Sequence, residues 1–178
     1  MFSKVPESVI SCGSAVIIDP EVSQAVDCEA ELAVIIGKGA HRIHAKDAFD
    51  HVWGYTIIND VTARDLQGRY SQWLIGKSQD TFCPMGPYAV TREDIDIGNT
   101  PISCHVNAEL RQSSNTRLLI FDIPTIIETL SAGYHAAARR RDRNRHTSGR
   151  RHRLQSAAIP LERRRRAYRN RWHRGARE

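Results

Sequence analysis

Residues 27–37 read Asp-Cys-Glu-Ala-Glu-Leu-Ala-Val-Ile-Ile-Gly, an acidic start followed by a run of β-favouring apolar residues. Successive side chains of a strand point to opposite faces, so Asp27, Glu29 and Glu31 share one face while apolar side chains occupy the other. An acidic face is ordinary on a strand that is open to solvent. Two like charges side by side nevertheless repel each other unless something neutralises them, which makes Glu29 and Glu31 a candidate cation site.

Short β-favouring runs continue along the chain and outnumber the helical patterns. Strands are predicted at residues 15–18, 28–36, 54–58, 88–90 and 102–106, and helices at 44–52, 61–67 and 123–130. The expected fold class is therefore α+β and mainly β. The glycine patterns GxGxxG and P-loop are absent, as is regular βαβ alternation, which argues against a nucleotide-binding fold.

A third carboxylate, Asp60, ends the apolar run 53–60, where the predicted strand gives way to a predicted helix. This position suits a site residue better than a core residue. Three hard oxygen ligands suit Mg²⁺ or a similar ion in roughly six-fold coordination, with positions left for water or a chelating oxygen substrate.

The cysteines and the apolar runs set the expected compartment. Cys12, Cys28, Cys83 and Cys104 form no Cys-x-x-Cys pair, so neither a zinc site nor a disulfide framework is indicated. The first residues lack the apolar core of a signal peptide, and no run approaches the roughly 18 apolar residues of a membrane helix. We expect a soluble, cytoplasmic protein that does not bind membranes.

Four phrases of the sequence carry a resemblance to the fumarylacetoacetate hydrolase family in its catalytic-domain form. They are VDCEAELAVIIGK (26–38), GYTIINDVTARDLQ (54–67), GKSQDTFCPMGPY (76–88) and NAELRQSSNTRLLIFDIPTIIETLSAG (107–133). Each phrase is weak alone, but their order and spacing cover nearly all of residues 1–133. The resemblance implies a mixed β-sandwich roll of the fumarylacetoacetase C-terminal-domain type, here incomplete.

The resemblance also implies site residues and chemistry. It makes Glu29, Glu31 and Asp60 the ligands of Mg²⁺, or of Mn²⁺ or Ca²⁺, and Lys77 the catalytic lysine of the pocket. Arg64 and Gln67 would orient the substrate, a small 2-oxo or 1,3-dicarbonyl acid such as a fumarylpyruvate or an acylpyruvate, and the intact protein would be a homodimer. The implied reaction is hydrolysis of a carbon–carbon bond through an enolate on the metal, as in aromatic catabolism. Related members isomerise dienoates or decarboxylate oxaloacetate-like acids.

Residues 134–178 differ in composition from the rest of the chain. They hold 16 of the 22 arginines, no lysine and three acids, a net charge of +13, whereas residues 1–133 carry −7. Read one base later with permitted codons, Tyr134 to Thr147 becomes ITLQPGDVIATGT, which resembles the continuation of the family sequence. We therefore expect a frameshift near Gly133, a partial catalytic domain over residues 1–133, and an unstructured tail over 134–178.

Two departures from the family pattern affect the expected activity. The upstream His and Glu pair that activates water in the family precedes the region resembled by residues 2–10, and the TGTP loop is replaced by His146-Thr-Ser-Gly-Arg. His41, His44 and His51 are interpreted as surface or helix residues. We therefore expect an impaired or inactive hydrolase, or a non-functional fragment of one. An alternative of another class is nucleic-acid binding through the basic tail, which would be non-specific because aromatic residues are sparse there.

Overall fold

The computed structural model describes residues 2–70 and 72–136. Its strands are β1 (Val9–Ser11), β2 (Val26–Asp27), β3 (Ala30–Ile36), β4 (Val52–Asn59), β5 (Thr62–Ala63), β6 (Cys83–Met85), β7 (Val90–Thr91), β8 (Pro101–Val106) and β9 (Glu109–Asn115). Its α-helices are α1 (Arg64–Arg69), α2 (Leu74–Lys77) and α3 (Ile123–Gly133). Turns of 3₁₀-helix span Pro6–Ser8, Ala45–His51, Arg92–Asp94 and Thr116–Leu118. The predicted α+β class, mainly β, is confirmed.

Strand β4 is the central strand of the main sheet, and β3 lies beside it at the edge. They pair antiparallel with Ala30 opposite Asn59 and Glu31 opposite Ile58. Within the described residues the sheet continues in the order β1-β6-β4-β3, with β7 also paired to β4, and β1 runs parallel to β6. This register brings the start of β3 beside the end of β4, where Glu29, Glu31 and Asp60 lie.

Two further strand pairs flank this sheet. Strand β2 pairs antiparallel with β5, so the chain just before Glu29 is tied to the chain just after Asp60. Strands β8 and β9 form an antiparallel hairpin. Gln112 on β9 exchanges hydrogen bonds with the main chain of Ala30, which anchors the hairpin at the start of β3.

Most of the buried apolar residues of the described chain form two clusters. One joins β4 to α3 and the 3₁₀ turn at 45–51, and its members are Ile43, Ala48, Val52, Tyr55, Ile123 and Ile127. The second packs α1 against the chain around it, with Val16, Val61, Ala63, Leu66 and Phe82. Helix α3 begins at a side-chain cap, because Asp122 Oδ1 accepts a hydrogen bond from the amide of Thr125 at 2.8 Å.

Several predicted elements change in type or in bounds. The strand predicted at 28–36 begins at Ala30, so Glu29 lies just outside it. The predicted helix at 61–67 is a two-residue strand followed by α1, because Val26 and Asp27 pair with Thr62 and Ala63 before the helix begins. The predicted helix at 44–52 is a 3₁₀ turn that ends where β4 starts. Strands β1, β2, β6 and β9 were not predicted, and the strand predicted at 15–18 is wrong, because only Val16 forms an isolated bridge there.

The described chain extends slightly beyond the predicted domain boundary at Gly133. Ala136 pairs with Ala40 through two main-chain hydrogen bonds of 2.8 and 3.0 Å. The rest of the predicted tail, 137–178, lies outside the described residues, and so do the predictions made for it. Within the described chain, no helix is long and apolar enough to cross a membrane.

Candidate metal centre

Three carboxylates converge at the junction of β3 and β4. Glu29, Glu31 and Asp60 each offer one oxygen, and these oxygens lie within 4.8 Å of one another. The pairing of Ala30 with Asn59 sets this convergence, and the amide of Asp60 donates to the carbonyl of Glu29 at 2.8 Å. Asp60 is completely buried. The residues predicted from strand periodicity and from the end of an apolar run therefore meet at one place.

Lys77 reaches the same place from α2. Its Nζ donates to Glu29 Oε2 at 2.7 Å and to Asp60 Oδ2 at 2.5 Å, and its side chain is only 3% exposed. Burial works against its charge, but the hydrogen bonds to Asp60 and Glu29 outweigh burial and raise the pKa of Lys77. The lysine that the sequence analysis named thus lies inside the carboxylate cluster.

Lys4 is a second ammonium at the cluster, and no sequence pattern indicated it. Its Nζ lies 2.5 Å from Asp60 Oδ1 and donates to the carbonyls of Val61 and Phe82 at 2.8 Å each. Burial lowers the pKa of Lys4, and the contact with Asp60 opposes that shift. The sequence offered no signal for it, because the partners are 56 to 78 residues away and two of them are main-chain atoms.

Arg64 and Gln67, predicted to orient a substrate, lie at the outer side of the cluster. Arg64 Nη2 donates to Glu29 Oε1 at 2.6 Å and to Asp27 Oδ2 at 2.7 Å, and its Nη1 donates to Gln67 Oε1 at 3.0 Å. Burial would raise the pKa of Glu29, but the hydrogen bonds from Lys77 and Arg64 hold it below its usual range. Arg64 therefore holds Glu29 in place, a contact that the sequence did not predict.

Glu31 differs from its two neighbours. No lysine or arginine of the described chain forms an ion pair with it, and its pKa is raised by burial and then by the charges of Asp60 and Glu29. Lys4, Lys77 and Arg64 form ion pairs with Asp60, Glu29 and Asp27, whereas Glu31 forms none within the described chain. Three hard oxygen donors of which one lacks an ion-pair partner fit a divalent cation such as Mg²⁺, Mn²⁺ or Ca²⁺.

The first residues of the chain cover the cluster. The ring of Phe2 lies 4.6 Å from Lys77 Nζ and 6.0 Å, centroid to centroid, from the ring of Trp73. Ser78, the residue after Lys77, donates through Oγ to the carbonyl of Ser3 at 2.9 Å. Residues 2–5, which we call the N-terminal strap, therefore run across α2.

The three histidines interpreted as surface or helix residues do not touch the cluster. His41 stacks on His135, His44 Nδ1 lies 3.6 Å from Glu128 Oε1, and His51 Nδ1 lies 2.8 Å from the carbonyl of Lys38. None of these partners is a residue of the carboxylate cluster.

Comparison with known proteins identifies the family of the chain. The sequence model described as fumarylacetoacetate (FAA) hydrolase C-terminal matches residues 1–138. The chain belongs to the fumarylacetoacetate hydrolase family. The family includes hydrolases and isomerases, and the match covers all four phrases that carry the resemblance.

Some curated relatives of the chain are named as tautomerases. The chain is 51% identical over 134 residues to oxaloacetate tautomerase YisK of Bacillus subtilis, which covers 75% of this chain and 44% of the relative. It is 46% identical over 134 residues to the human mitochondrial oxaloacetate tautomerase FAHD2A, covering 74% and 42%. The chain thus spans less than half the length of these relatives.

Solved structures of the family confirm the predicted fold type. A fumarylacetoacetate hydrolase from Exiguobacterium antarcticum superposes with a TM-score of 0.73 at 42% identity, over 75% of this chain and 48% of that one. A 5-carboxymethyl-2-hydroxymuconate delta-isomerase from Mycobacterium smegmatis gives 0.72 at 36% identity, over 76% and 52%.

Proposed function

We propose that this chain carries the cation-binding part of an enzyme that enolises a small 2-oxo acid. In this proposal Glu29, Glu31 and Asp60 hold Mg²⁺, with Mn²⁺ or Ca²⁺ as alternatives. The observation that carries it is Glu31, a carboxylate beside two others that forms no ion pair in the described chain and whose pKa is raised by burial and by Asp60 and Glu29. A fold tolerates such a repulsive group most readily when a cation binds there.

A bound divalent cation would supply Lewis-acid chemistry, drawing electrons from the carbonyl of a 2-oxo acid. The residues of the chain add to this. Lys77 brings a positive charge to the place where a negative oxygen develops, and its burial strengthens that interaction. Arg64 fixes Glu29, and with Gln67 it forms the polar wall that a substrate carboxylate would face.

Keto–enol tautomerisation of an oxaloacetate-like acid is the reaction that we favour. In it a proton leaves the carbon next to the carbonyl and a proton is added to the carbonyl oxygen, so no other reactant is consumed. The support comes from the relatives named oxaloacetate tautomerase at 46–51% identity.

Hydrolysis of a carbon–carbon bond in a fumarylpyruvate-like or acylpyruvate-like acid is the second candidate. It uses the same enolate but also needs a water-activating group. A solved structure titled as a fumarylacetoacetate hydrolase supports it, at 42% identity. Isomerisation of a dienoate is the third, supported by the delta-isomerase structure.

Cation binding is the direct test of the proposed function. Isothermal titration of the purified, EDTA-treated chain with MnCl₂ and MgCl₂ should give one site, and Glu31→Ala and Asp60→Ala should each abolish it. Glu21→Ala, which removes an exposed carboxylate elsewhere, should leave binding unchanged. Binding that persists in both cluster variants would contradict the proposal.

Other attributes stay proposals of the same kind. The compartment is proposed to be the cytoplasm, although the human relative is named as mitochondrial. We also propose that the intact protein forms a homodimer and binds a small oxo-acid substrate. No specific nucleic-acid partner is proposed. Binding of nucleic acid by the basic tail concerns residues outside the described chain.

A further inference from the structure

Lys4 has a contact pattern that sets it apart from the other lysine of the cluster. An ammonium has three N–H donors, and Lys4 has three oxygens around it: Asp60 Oδ1 at 2.5 Å and the carbonyls of Val61 and Phe82 at 2.8 Å. Its side chain is 11% exposed. The ammonium thus donates to two main-chain carbonyls and forms a close ion pair with Asp60 Oδ1, an atom that has no hydrogen-bond partner in the described chain.

Two of these three partners belong to the main chain and are fixed by the fold. The carbonyl of Phe82 also accepts a hydrogen bond from the amide of Val61 at 3.1 Å, so the two residues whose carbonyls contact Lys4 are hydrogen-bonded to each other through their main chains. Two of the three contacts that position the Lys4 ammonium therefore involve main-chain atoms and not the carboxylates.

Lys77 has the opposite pattern. The hydrogen bonds of its ammonium go to Glu29 Oε2 and Asp60 Oδ2, two of the carboxylates that would hold the cation. A divalent ion between these oxygens would compete with Lys77 for them. Lys4, in contrast, contacts the other oxygen of Asp60, and its two carbonyl partners are not atoms that would hold the ion.

We propose that Lys4 is a positioning residue of the metal site, which holds Asp60 through Oδ1 so that Oδ2 stays beside Glu29 and open to a divalent cation. The inference rests on the proposed function, since it assumes that the carboxylate cluster binds such an ion. It assigns the N-terminal strap to the site, where the strap supplies a fixed positive charge.

The strap is itself held at two points on either side of Lys4. Ser78 Oγ donates to the carbonyl of Ser3 at 2.9 Å and accepts from the amide of Val5 at 3.3 Å. One hydroxyl thus anchors the residues before and after Lys4 to the end of α2. Loosening this anchor should displace Lys4 without changing the charge of the site.

An electrostatic role and a positioning role of Lys4 predict opposite effects of its removal on the Kd for the cation. If Lys4 acted only through its charge, its loss would tighten cation binding, because a positive group next to the ion repels it. If Lys4 acts by holding Asp60, its loss weakens binding, as loss of a partner that orients a ligand commonly does by about 10–100-fold. The direction of the change in Kd therefore separates the two roles.

The experiment measures Kd for Mn²⁺ by isothermal titration on the full 178-residue chain, for wild type and Lys4→Met, at a temperature where circular dichroism shows both folded. Lys4→Met should raise Kd by about 10–100-fold. Lys46→Met, which removes an exposed lysine, should leave Kd unchanged. Lys4→Arg, which keeps the charge, should recover part of the loss. An unchanged or lower Kd for Lys4→Met would overturn the inference.

Ser78→Ala provides a second route if Lys4→Met does not fold. It keeps every charge of the cluster, so an electrostatic role predicts no change, whereas positioning predicts a weaker Kd and a changed electron paramagnetic resonance spectrum of bound Mn²⁺. Failure of the wild-type chain to bind Mn²⁺ would refute the proposed function and this inference together. Wild-type binding with no change in Lys4→Met or Ser78→Ala would refute only the inference.

Discussion

At the scale of single residues, Glu31 destabilises the metal-free fold but supplies a carboxylate to the proposed cation site. Its pKa is raised by burial and by Asp60 and Glu29, so the folded chain holds its proton more tightly than the unfolded chain does. The stabilisation from that proton is present below the ordinary glutamate range and is lost as pH rises through the raised pKa. At neutral pH the ionised Glu31 therefore destabilises the metal-free fold.

Glu31→Gln should make the metal-free protein more stable and unable to bind the cation. We expect a rise of up to about 1 kcal/mol in the free energy of unfolding, since repulsion between neighbouring charges on a sheet is of this order. The measurement is thermal unfolding in EDTA and in excess MnCl₂ between pH 5 and 8. Wild type should lose stability in EDTA with rising pH and recover it with Mn²⁺, whereas both responses should shrink in Glu31→Gln. A variant with lower stability in EDTA would contradict the account.

Lys77→Met should bind Mn²⁺ more tightly than wild type, the opposite of Lys4→Met. Lys77 donates to Glu29 and Asp60 at the oxygens between which a cation would lie, so the ion and the ammonium compete. The variant should also lose stability without metal, because Asp60 is buried and keeps only Lys4 as a counter-ion. Titration calorimetry and thermal unfolding, each with Lys46→Met as control, measure the two effects. Weaker Mn²⁺ binding would show that Lys77 supports the ion.

The sequence predicted the cluster better than its surroundings. Glu29 and Glu31 follow from strand periodicity, and Asp60 follows from an apolar run that ends in a carboxylate. Lys77, Arg64 and Gln67 came from the family resemblance, which does not specify their contacts. Lys4 could not be predicted, because its position depends on main-chain carbonyls brought together by tertiary structure.

At the scale of elements, the close approach of α2 to α1 determines where Lys77 lies. A Cβ atom built on Gly76 would come within 2.9 Å of the amide nitrogen of Gln67 and 3.0 Å of the carbonyl oxygen of Ala63. Both are main-chain atoms, so a side-chain rotation cannot relieve the contact. Glycine at position 76 lets the short helix pack closely enough for Lys77 to enter the cluster.

Gly76→Ala should separate the two helices, lower the stability by about 1–3 kcal/mol as overpacking does, and disturb the Lys77 contacts. The matched control is Gly68→Ala in α1, where a new Cβ meets no atom within 4 Å. That change should leave stability unchanged or raise it by about 0.4–1 kcal/mol, because alanine reduces the entropy of the unfolded chain. Urea unfolding measures both. Equal effects of the two substitutions would show that the close approach is unimportant.

Elements with a strong local pattern were predicted, and those defined by pairing were not. Helix α3 has Pro124 in its first turn and a side-chain cap at Asp122, both readable from sequence. Strand β9, at Glu109–Asn115, is mostly polar and exposed, so it has no apolar alternation and forms only as the partner of β8. Strand β5 has two residues, and its pairing with β2 overrides the helical pattern predicted there.

At the scale of the whole molecule, a large open cavity lies where the described chain comes to its last residues. It measures about 910 Å³, and Ile36, Ile127 and Leu130 line it together with Tyr134, His135 and Ala136. Ala136, the last described residue, is among the residues that line the cavity.

Restoring the proposed reading frame at Gly133 should cover the cavity and allow turnover. The alternative frame gives ITLQPGDVIATGT in place of the arginine-rich sequence that starts at Tyr134, and its apolar residues can pack where charged residues cannot. Because the carboxylates and both lysines lie before Gly133, both versions should bind Mn²⁺, but the restored chain should turn over acylpyruvates more efficiently. The expected gain is about 10²-fold, since a substrate misplaced by about 1 Å can cost that much. Binding of the dye ANS, which reports exposed apolar surface, should fall in parallel. Equal turnover and equal dye binding by the two chains would show that the present reading frame already gives the complete site.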